Sequence, residues 1–519
     1  MTNPPEPTPG PLPALGGGIR LSELLEDLPA ARLAGPRRPE DPPEDLPEDL
    51  MVHDVTLDSR EAAPGVLFAC RPGARTDGHL HAPAAVRAGA AALLVERVLD
   101  LDVAQLVVPR VADAVGDAAA AVHGHPAARL ALAGVTGTNG KTTTTYLIEA
   151  ALRGGGHRTG LIGTIQTLVD GAAVPGVRTT PESTDLQRLF AHMVGAGVTA
   201  AAMEVSSHGL ALGRVRGTRF GVAAFTNLTQ DHLDFHRDLE DYFAAKASLF
   251  DPVCTAHAVI NVDDPYGERL AVMARERGLA VDTVSNLGRP HASVAAQDVV
   301  LAPGGSTFAA VIDGERVAVR VTLPGVFNVA NALLALVASV RLGVPGEAAA
   351  AGIAELAGVP GRMERVEAGQ PFTVLVDYAH TPDSVEQVLR AARDLTSGRV
   401  LVVIGCGGDR DRAKRAPMGA AAVTFADHAV FTSDNPRSED PALIVQTMVE
   451  GARAAGGSWS VESDREAAIA AAVGAAAPGD VVVIAGKGHE ATQSFADRIV
   501  PFDDRVVARA LLAARWGTS

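Results

Sequence analysis

The chain has few aromatic residues and few cysteines. Of its 519 residues, 4% are aromatic and three are cysteine, at Cys70, Cys254 and Cys406. No two of them form a C-x-x-C pair, which argues against a zinc ribbon and against a dithiol redox motif. A chain of this length needs no disulfides, so three separated thiols indicate a reducing compartment, and we expect a cytoplasmic protein.

Positive charge and long apolar runs are also scarce. The 45 Lys+Arg are outnumbered by 61 Asp+Glu, which gives a formal net charge of −16. This acidity argues against a general binder of nucleic acid or of anionic membranes, since both would repel it. The longest apolar stretches, such as residues 329–340, are too short to span a bilayer, and the N-terminus lacks the pattern of a signal peptide. We therefore expect a soluble protein with no membrane insertion.

Small and aliphatic residues dominate instead, and 47% of the chain is hydrophobic. A length of 519 residues suggests three or four domains. Apolar strands alternate with helical segments, which predicts an α/β fold with mostly parallel sheets. We predict a disordered tail at 1–18 and three domains: an N-terminal domain at 19–126, a central P-loop ATPase domain at 127–358 and a C-terminal, Rossmann-like domain at 359–519. The Pro-rich and acidic stretch at 35–49 is interpreted as a loop or linker.

The expected elements follow from the apolar runs and their spacing. Predicted strands of the first two units lie at 55–60, 66–73, 106–109, 129–135, 199–204, 222–226 and 257–262. Predicted helices of these units lie at 19–28, 111–123, 141–153 and 327–342, the last closing the central unit. In the C-terminal unit we predict strands at 372–377, 399–405, 428–434 and 480–486 and a helix at 384–395.

A glycine-rich turn between a strand and a helix carries the strongest single motif. Residues 133–143, AGVTGTNGKTT, satisfy the pattern G-x-x-x-x-G-K-[ST] with Gly134, Gly140, Lys141 and Thr142. The glycines let backbone N–H groups surround a triphosphate, while the lysine reaches the β- and γ-phosphates and the threonine binds Mg²⁺. The motif predicts ATP or GTP binding and does not indicate a reaction class.

Six further polar stretches stand where strands are expected to end, the edge at which α/β proteins bind ligands. They are LDSR at 57–60, RTTPE at 178–182, EVSSH at 204–208, TNLTQDHLD at 226–234, DYAHTP at 377–382 and GKGHE at 486–490. In this order, and with the GTNGKT form of the phosphate loop, the set resembles the Mur ligases over residues 52–510. The resemblance implies an ATP-dependent ligase in which a substrate carboxylate attacks the γ-phosphate and an amine then displaces phosphate from the acyl phosphate.

The resemblance also implies the substrates. It points to meso-diaminopimelate as the amine and UDP-N-acetylmuramoyl-L-alanyl-D-glutamate as the carboxylate, with ATP and Mg²⁺, in an enzyme that we expect to be monomeric. The DNPR stretch at 434–437 fits the diaminopimelate form, since a guanidinium can bind the second carboxylate bidentately, and lysine-adding relatives lack this arginine. Three alternatives stay open: a lysine-adding ligase, another amide ligase such as a folylpolyglutamate synthetase, and a non-catalytic ATP-binding switch. The TTPE and DNPR stretches argue against the folylpolyglutamate synthetase.

Site residues carry over from the resemblance at the positions that match. The implied catalytic residues are Lys141, Glu204, His232 and Lys246. The implied ATP-binding residues are Gly137, Thr138, Asn139, Gly140, Lys141, Thr142, Thr143, Asn328, Arg362 and Asp377. For the UDP-substrate they are Ser59, Thr179, Thr180, Ser206 and Arg214. For diaminopimelate they are Arg410, Asp434, Asn435, Arg437, Gly486 and Glu490.

The implied ligands of Mg²⁺ are Thr142, Glu204, His232 and Lys246, the last as a carbamate. A carbamate adds a negative charge and oxygen ligands, and its formation requires a neutral amine, so we expect Lys246 to be partly buried. The residues alone leave other interpretations open: a solvated lysine at Lys246, a surface histidine at His232 and a helix N-cap at Asn328. We expect His380 and Lys487 to face the same cleft.

Overall fold

The computed structural model describes residues 17–35, 50–73, 76–176, 178–302 and 304–516. The predicted tail at 1–18 and linker at 35–49 lie almost entirely outside these residues. Three mostly parallel sheets organise the described chain, which confirms the predicted α/β class, while the domain boundaries stay predictions. Among the described helices, none is long and apolar enough to cross a membrane. The three cysteines are free thiols.

The first sheet has five strands, and the phosphate loop belongs to the central sheet instead. Its strands lie in the order Arg32–Ala34, Ala104–Val107, Ala92–Val95, Val66–Ala69 and Asp54–Thr56, all parallel except the first pair. Its helices are Leu21–Asp27, Ala82–Arg87 and Val111–Val122, with a 3₁₀ turn at Gly78–His81 and a two-stranded pair of Ile19–Arg20 with Met51–Val52. The strand predicted at 55–60 ends at Thr56. Asp58 Oδ1 accepts from the backbone N–H of Arg60 at 2.9 Å, and this Asx turn places Ser59 in a loop.

The central sheet has nine strands. They lie in the order Ala172–Val174, Thr167–Val169, Thr159–Ile162, Ala200–Glu204, Ala131–Thr136, Phe220–Phe225, Thr255–Asn261, Ala280–Ser285 and Val294–Ala295. Its helices are Lys141–Gly154, Ser183–Gly195, Ser207–Ala211, Leu239–Ala247, Pro265–Glu276, Val326–Arg341 and Gly346–Glu355, after a 3₁₀ turn at Pro126–Arg129. The middle strands are buried on both faces, as the continuous apolar runs predicted.

Several parts of the central unit were not predicted, including five strands of its main sheet: Thr159–Ile162, Thr167–Val169, Ala172–Val174, Ala280–Ser285 and Val294–Ala295. An antiparallel sheet of Gln297–Ala302, Gly305–Ile312 and Glu315–Val321 follows the parallel strands. Its signal was the Asp313-Gly314 turn between alternating segments, which is typical of a hairpin. The helix Val326–Arg341 does not close the unit, because Gly346–Glu355 follows it and packs on Lys141–Gly154. Gly352 makes that approach possible, since a Cβ there would lie 2.1 Å from the Ala150 carbonyl oxygen.

The C-terminal sheet has six strands with buried apolar clusters on both faces, as a doubly wound unit requires. They lie in the order Glu364–Arg365, Thr373–Asp377, Val481–Ala485, Val400–Ile404, His428–Phe431 and Trp459–Val461, parallel except the first pair. Its helices are Pro382–Asp394, Arg415–Phe425, Pro441–Ala455, Arg465–Ala475 and Asp504–Trp516, with a hairpin of Thr492–Ser494 and Ile499–Pro501. The carboxyl ends of these strands face the phosphate loop, because Asn139 Nδ2 donates to Asp383 Oδ2 at 3.0 Å.

Candidate active site

Two neighbouring clefts lie between the central and C-terminal sheets. The first cleft, of about 490 Å³, is bounded by the phosphate loop at residues 138–143 on one side and by Arg362 and Asp377 on the other. The second cleft, of about 580 Å³, is bounded by Arg214 and Arg437. Thr164, Tyr378 and His380 line both clefts. A molecule bound in one cleft would therefore lie next to a molecule bound in the other.

The phosphate loop joins the strand Ala131–Thr136 to the helix Lys141–Gly154. Gly137 has φ +146° and Gly140 has φ +86°, conformations that favour glycine, and a Cβ on Gly137 would lie 1.8 Å from Thr226 Oγ1. Lys141 Nζ donates to the carbonyl oxygens of Gly137 and Thr138, both at 2.8 Å. Burial lowers the pKa of Lys141, and the negative charge of Glu204 opposes this. The ammonium group of Lys141 thus lies within the loop, where a bound anion would balance its charge.

Lys246 is buried directly behind this loop. Its Nζ donates to the Gly137 carbonyl oxygen at 2.7 Å and lies 4.4 Å from the centre of the Tyr242 ring, and the residue is 1% exposed. The interpretation as a solvated lysine is therefore wrong. Burial and then the charge of Lys141 lower the pKa of Lys246 well below its usual value. These surroundings favour the neutral amine. Lys246 lines neither of the two clefts.

Glu204 ends the strand Ala200–Glu204 and faces the first cleft. Its carboxylate accepts from the backbone N–H of Thr164 at 2.8 Å and from the Thr164 hydroxyl at 3.0 Å. Thr142 lines the same cleft, and its Oγ1 accepts from Arg362 Nη2 at 3.2 Å. A carboxylate and a hydroxyl are oxygen ligands of the kind that Mg²⁺ prefers.

The described residues contain no group of three or more His, Cys, Asp or Glu side chains arranged to hold a metal ion. A site for Mg²⁺ does not require one. This ion usually keeps several waters and binds one or two carboxylates together with substrate phosphates. The donor set around Glu204 and Thr142 therefore fits Mg²⁺ bound to a nucleotide better than a metal held by protein alone.

His232 lies in the second cleft with φ +56°. Burial, which Asp231 opposes and Lys141 reinforces, lowers its pKa to about 3. The imidazole is therefore neutral near pH 7, the form that binds metals. The interpretation as an ordinary surface histidine is not supported, since its side chain is partly covered and its ring lies 4.8 Å from that of His208.

Asp231 is a residue that the sequence analysis missed. It is buried, and its carboxylate lies 3.6 Å from His232 Nε2, 3.7 Å from His380 Nε2 and 3.8 Å from Lys414 Nζ. Burial alone would raise the pKa of Asp231, but these partners outweigh burial and lower it. His380 and Lys414 belong to the C-terminal unit, so Asp231 connects the two sides of the second cleft. Its position next to His232 in the DHLD stretch was the available signal.

The far wall of the first cleft contains Asn328, Arg362 and Asp377. Asn328 is not a helix N-cap, because Gly325 holds that position, and its Nδ2 donates to the Pro324 carbonyl oxygen at 2.7 Å. The Arg362 guanidinium lies 4.5 Å from the centre of the Tyr378 ring. Asp377 accepts from the backbone N–H groups of Met363 at 2.7 Å and Ala379 at 2.8 Å, and burial raises its pKa.

Four of the five residues expected to bind the UDP-substrate line the second cleft: Thr179, Thr180, Ser206 and Arg214. Ser59 lines neither cleft, and its loop belongs to the first sheet. Sequence reasoning missed the ion-pair cluster beside them. Glu182, the last residue of the RTTPE stretch, lies 3.0 Å from Arg71 Nη1, 2.6 Å from Arg178 Nη1 and 3.0 Å from Arg214 Nε. Three cations around one carboxylate leave this end of the cleft positive.

All six residues expected to bind diaminopimelate line the second cleft: Arg410, Asp434, Asn435, Arg437, Gly486 and Glu490. Asn435 Nδ2 donates to Glu490 Oε2 at 2.6 Å, and Arg437 Nη1 donates to the Gly408 carbonyl oxygen at 2.6 Å. The expectation that Lys487 faces the cleft is wrong. Its side chain is fully buried, and its Nζ donates to the Thr492 carbonyl oxygen at 2.6 Å, with Glu490 Oε2 at 3.4 Å.

Comparison with known proteins shows the family of the chain. Family profiles described as the Mur ligase family catalytic domain, the Mur ligase middle domain and the Mur ligase glutamate ligase domain match residues 51–139, 135–339 and 361–488. A UDP-N-acetylmuramoyl-L-alanyl-D-glutamate–2,6-diaminopimelate ligase of Streptomyces avermitilis is 49% identical over 476 residues, covering 90% of this chain and 93% of its own. The chain belongs to the Mur ligase family. A ligase of the same name from Geobacillus thermodenitrificans is 47% identical, covering 88% of this chain and 94% of its own.

Solved structures of similar proteins have the same fold. A structure of a UDP-N-acetylmuramoyl-L-alanyl-D-glutamate–2,6-diaminopimelate ligase is 33% identical, with a TM-score of 0.69, and covers 96% of this chain and 100% of its own. A folylpolyglutamate synthase of Mycobacterium tuberculosis, solved with ADP and AMPPCP, is 20% identical with a TM-score of 0.59 and covers 78% of this chain and 95% of its own. The second likeness concerns the fold alone.

Proposed function

We propose that this Mur ligase uses ATP to join meso-diaminopimelate to UDP-N-acetylmuramoyl-L-alanyl-D-glutamate, a step of peptidoglycan precursor synthesis. The observation that carries the proposal is the pair of adjoining clefts. One is bounded by a phosphate loop that carries Lys141, with the buried Lys246 behind the loop, and the other contains arginines and carboxylates suited to a charged amino acid and an acidic peptide. The relatives that are 49% and 47% identical carry the name of this activity.

The reaction has two steps at the boundary of the clefts. An oxygen of the substrate carboxylate attacks the γ-phosphorus of ATP, ADP leaves, and an acyl phosphate remains. The amine of the amino acid then attacks the acyl carbon, phosphate leaves and the nitrogen loses a proton. Lys141 supplies a fixed positive charge where negative charge develops on the phosphoryl oxygens, and such preorganised charges contribute several kcal/mol to phosphoryl transfer.

The chain offers ligands for Mg²⁺ on the same boundary. Thr142 and Glu204 would hold the ion together with His232 and a carbamate on Lys246, and bound Mg²⁺ neutralises charge on the transferring phosphate. The Lys246 amine supports this assignment, because burial lowers its pKa and favours the neutral form, which is the form that attacks CO₂ and loses a proton to give the carbamate. The carbamate nitrogen keeps one N–H, which suffices for the hydrogen bond to the Gly137 carbonyl oxygen at 2.7 Å.

The choice of amino acid rests on the second cleft. Arg437 has one Nη group on the Gly408 carbonyl oxygen, which fixes the guanidinium and leaves its other N–H groups for a carboxylate. Glu490 lines the same cleft and suits an ammonium group. Diaminopimelate carries both groups on its distal carbon, whereas lysine lacks the carboxylate.

An ADP-release assay tests the proposal. The purified chain is given ATP, Mg²⁺ and UDP-N-acetylmuramoyl-L-alanyl-D-glutamate, and a panel of diamino acids is compared. We expect ADP release that depends on meso-diaminopimelate. Release that depends equally on lysine would contradict the specificity, and ATP binding without any release that depends on an amino acid would favour a non-catalytic switch.

A further inference from the structure

A fully buried ion pair lies beneath the second cleft. Arg465 and Asp504 are the first residues of the helices Arg465–Ala475 and Asp504–Trp516, and both side chains are 0% exposed. Arg465 Nε donates to Asp504 Oδ1 and Nη2 to Asp504 Oδ2, both at 2.7 Å. Buried pairs of this kind often stabilise a fold no better than apolar residues of similar volume. Stability alone is therefore a weak reason for its presence.

The remaining donors of Arg465 reach two backbone carbonyls. Nη2 donates to the Ala485 carbonyl oxygen at 2.9 Å and Nη1 to the Ser433 carbonyl oxygen at 3.4 Å. Ala485 is the last residue of the strand Val481–Ala485, and Ser433 lies two residues after the strand His428–Phe431. These two strands are not neighbours, since Val400–Ile404 lies between them. One guanidinium thus holds together two strand ends that the ladder hydrogen bonds join only through a third strand.

The two carbonyls immediately precede the loops that carry the amino-acid residues. Ser433 precedes the loop 434–437, and Ala485 precedes the loop 486–490. The loops meet closely: Asn435 Nδ2 donates to Glu490 Oε2 at 2.6 Å, and a Cβ on Gly486 would lie 2.6 Å from Asp434 Oδ2. A shift of one strand end against the other would change the shape of the second cleft directly.

Charge adds to this coupling. Burial alone would lower the pKa of Arg465, but Asp504, by its charge and hydrogen bonds, and the more distant charges of Asp434 and Glu490 outweigh burial and raise it. The guanidinium therefore stays charged and balances carboxylates that line the cleft above it.

We propose that Arg465, held by Asp504, is a positioning residue that fixes the loops 434–437 and 486–490 for amino-acid binding. The proposal rests on the proposed function, because it assigns these loops to the amino acid. Arg465 contacts no substrate. It acts through the Ser433 and Ala485 carbonyls, and its loss changes the affinity for the amino acid while the first cleft is unchanged.

The test uses the full chain with the double substitution Arg465→Met and Asp504→Leu. This variant replaces the pair by apolar groups of similar volume and leaves no buried charge unpaired. We expect backbone amides of both loops to exchange hydrogen about tenfold faster or more, while those of the phosphate loop are unchanged. We expect the KM for meso-diaminopimelate to rise about tenfold or more, with the KM for ATP within about twofold. Should the double variant not fold, Arg465→Lys, which keeps the charge and loses the fork, is measured in the same way.

Arg399→Met is the matched control. Arg399 pairs with Asp480 at the opposite edge of the same sheet, with Nη2 2.7 Å from Oδ2, so its loss leaves both loops unchanged. Unchanged loop exchange and unchanged KM values in the double variant would overturn the proposal. So would a uniform acceleration of exchange with equal losses for all substrates, which indicates a merely structural pair. Faster loop exchange in a chain whose wild type releases no ADP with diaminopimelate would support the anchoring and overturn the proposed function.

Discussion

The two clefts are adjacent but are lined by different kinds of chemical group. One wall of the first cleft is a contiguous stretch, residues 138–143, which offers backbone groups, hydroxyls and one lysine. The second cleft is lined by charged side chains from the ends of strands far apart in sequence, such as Arg214 and Arg437. Backbone groups suit a ligand of fixed shape such as a phosphate chain, since side chains can hardly vary their geometry. Charged side chains suit selection of one substrate over another.

The largest effect should come from removing the phosphate-loop lysine of the first cleft. Lys141→Ala is expected to lower ATP turnover by about a thousandfold or more, because it removes a preorganised charge from the phosphoryl group. The unfolding midpoint should stay near the wild-type value, since in the described part of the chain the ammonium donates hydrogen bonds within its own loop. ADP release and thermal unfolding measure the two. Arg390→Ala, at the exposed rim of the same cleft, is the control. Near-normal ligation in Lys141→Ala would show that the ATP site lies elsewhere.

Lys246 tests whether the first cleft depends on a residue that does not line it. Lys246→Ala should lower turnover by about a hundredfold, because it removes the proposed carbamate ligand of Mg²⁺. Short carboxylic acids should restore part of the activity by supplying the missing oxygens, and they should not restore Lys141→Ala. A fully active Lys246→Ala protein, or crystals that show a free ammonium in the active wild type, would contradict the carbamate.

The two clefts also differ in how far the sequence predicted them. The phosphate loop is local, so the strand, the turn and the helix around Lys141 could be predicted from their own residues. The burial of Lys246 could not, because it depends on packing the helix Leu239–Ala247 behind Gly137. Only the resemblance pointed to it. The prediction that Lys487 faces the cleft was wrong for the same reason, because a polar residue after a strand can point into the protein as well as into the cleft.

The fold shows a similar limit. Strands with continuous apolar runs, such as Val400–Ile404 and Val481–Ala485, were predicted to within a residue or two. The antiparallel sheet at residues 297–321 was missed, because its alternating pattern interrupts a regular βα order. Asp231 was missed for a different reason. Its partners His380 and Lys414 belong to the C-terminal unit, and no local sequence pattern predicts a contact between residues so far apart in the chain.

Arg437 tests the specificity of the second cleft. Lysine would leave this arginine desolvated and without a carboxylate, which costs on the order of 2–5 kcal/mol, so discrimination should be roughly a hundredfold or more. Arg437→Ala should raise the KM for meso-diaminopimelate sharply and reduce its advantage over lysine, while the KM for ATP stays unchanged. Arg437→Lys should restore little, because an ammonium lacks the two-pronged geometry.

Arg412→Ala, an exposed neighbour paired with Glu439, is the control in the competition assay. A wild type that accepts lysine as readily as diaminopimelate would disprove the specificity and leave the ligase assignment intact.

The smallest effect concerns the wall that both clefts share. His489 lies 5.2 Å from Tyr378, measured between ring centres, and burial and then the charges of Arg362 and Arg505 lower its pKa to about 3. An unfolded histidine binds a proton below about pH 6.5, whereas His489 in the folded chain does not until about pH 3, so the unfolded state gains protons as the pH falls through this window. The free energy of unfolding should therefore decrease from about pH 6.5 to about pH 5, and His489 should account for about 1–2 kcal/mol of that decrease.

His489→Gln keeps a polar side chain of similar length and removes the titration, so its urea-unfolding curves should depend less on pH. His291→Gln changes an exposed histidine and should keep the wild-type slope. His232, whose pKa is also about 3, leaves part of the slope in every variant, so a smaller slope and not a flat one is the expected result. Equal slopes in His489→Gln and the wild type would mean that His489 is solvated and that the wall between the clefts is open to water.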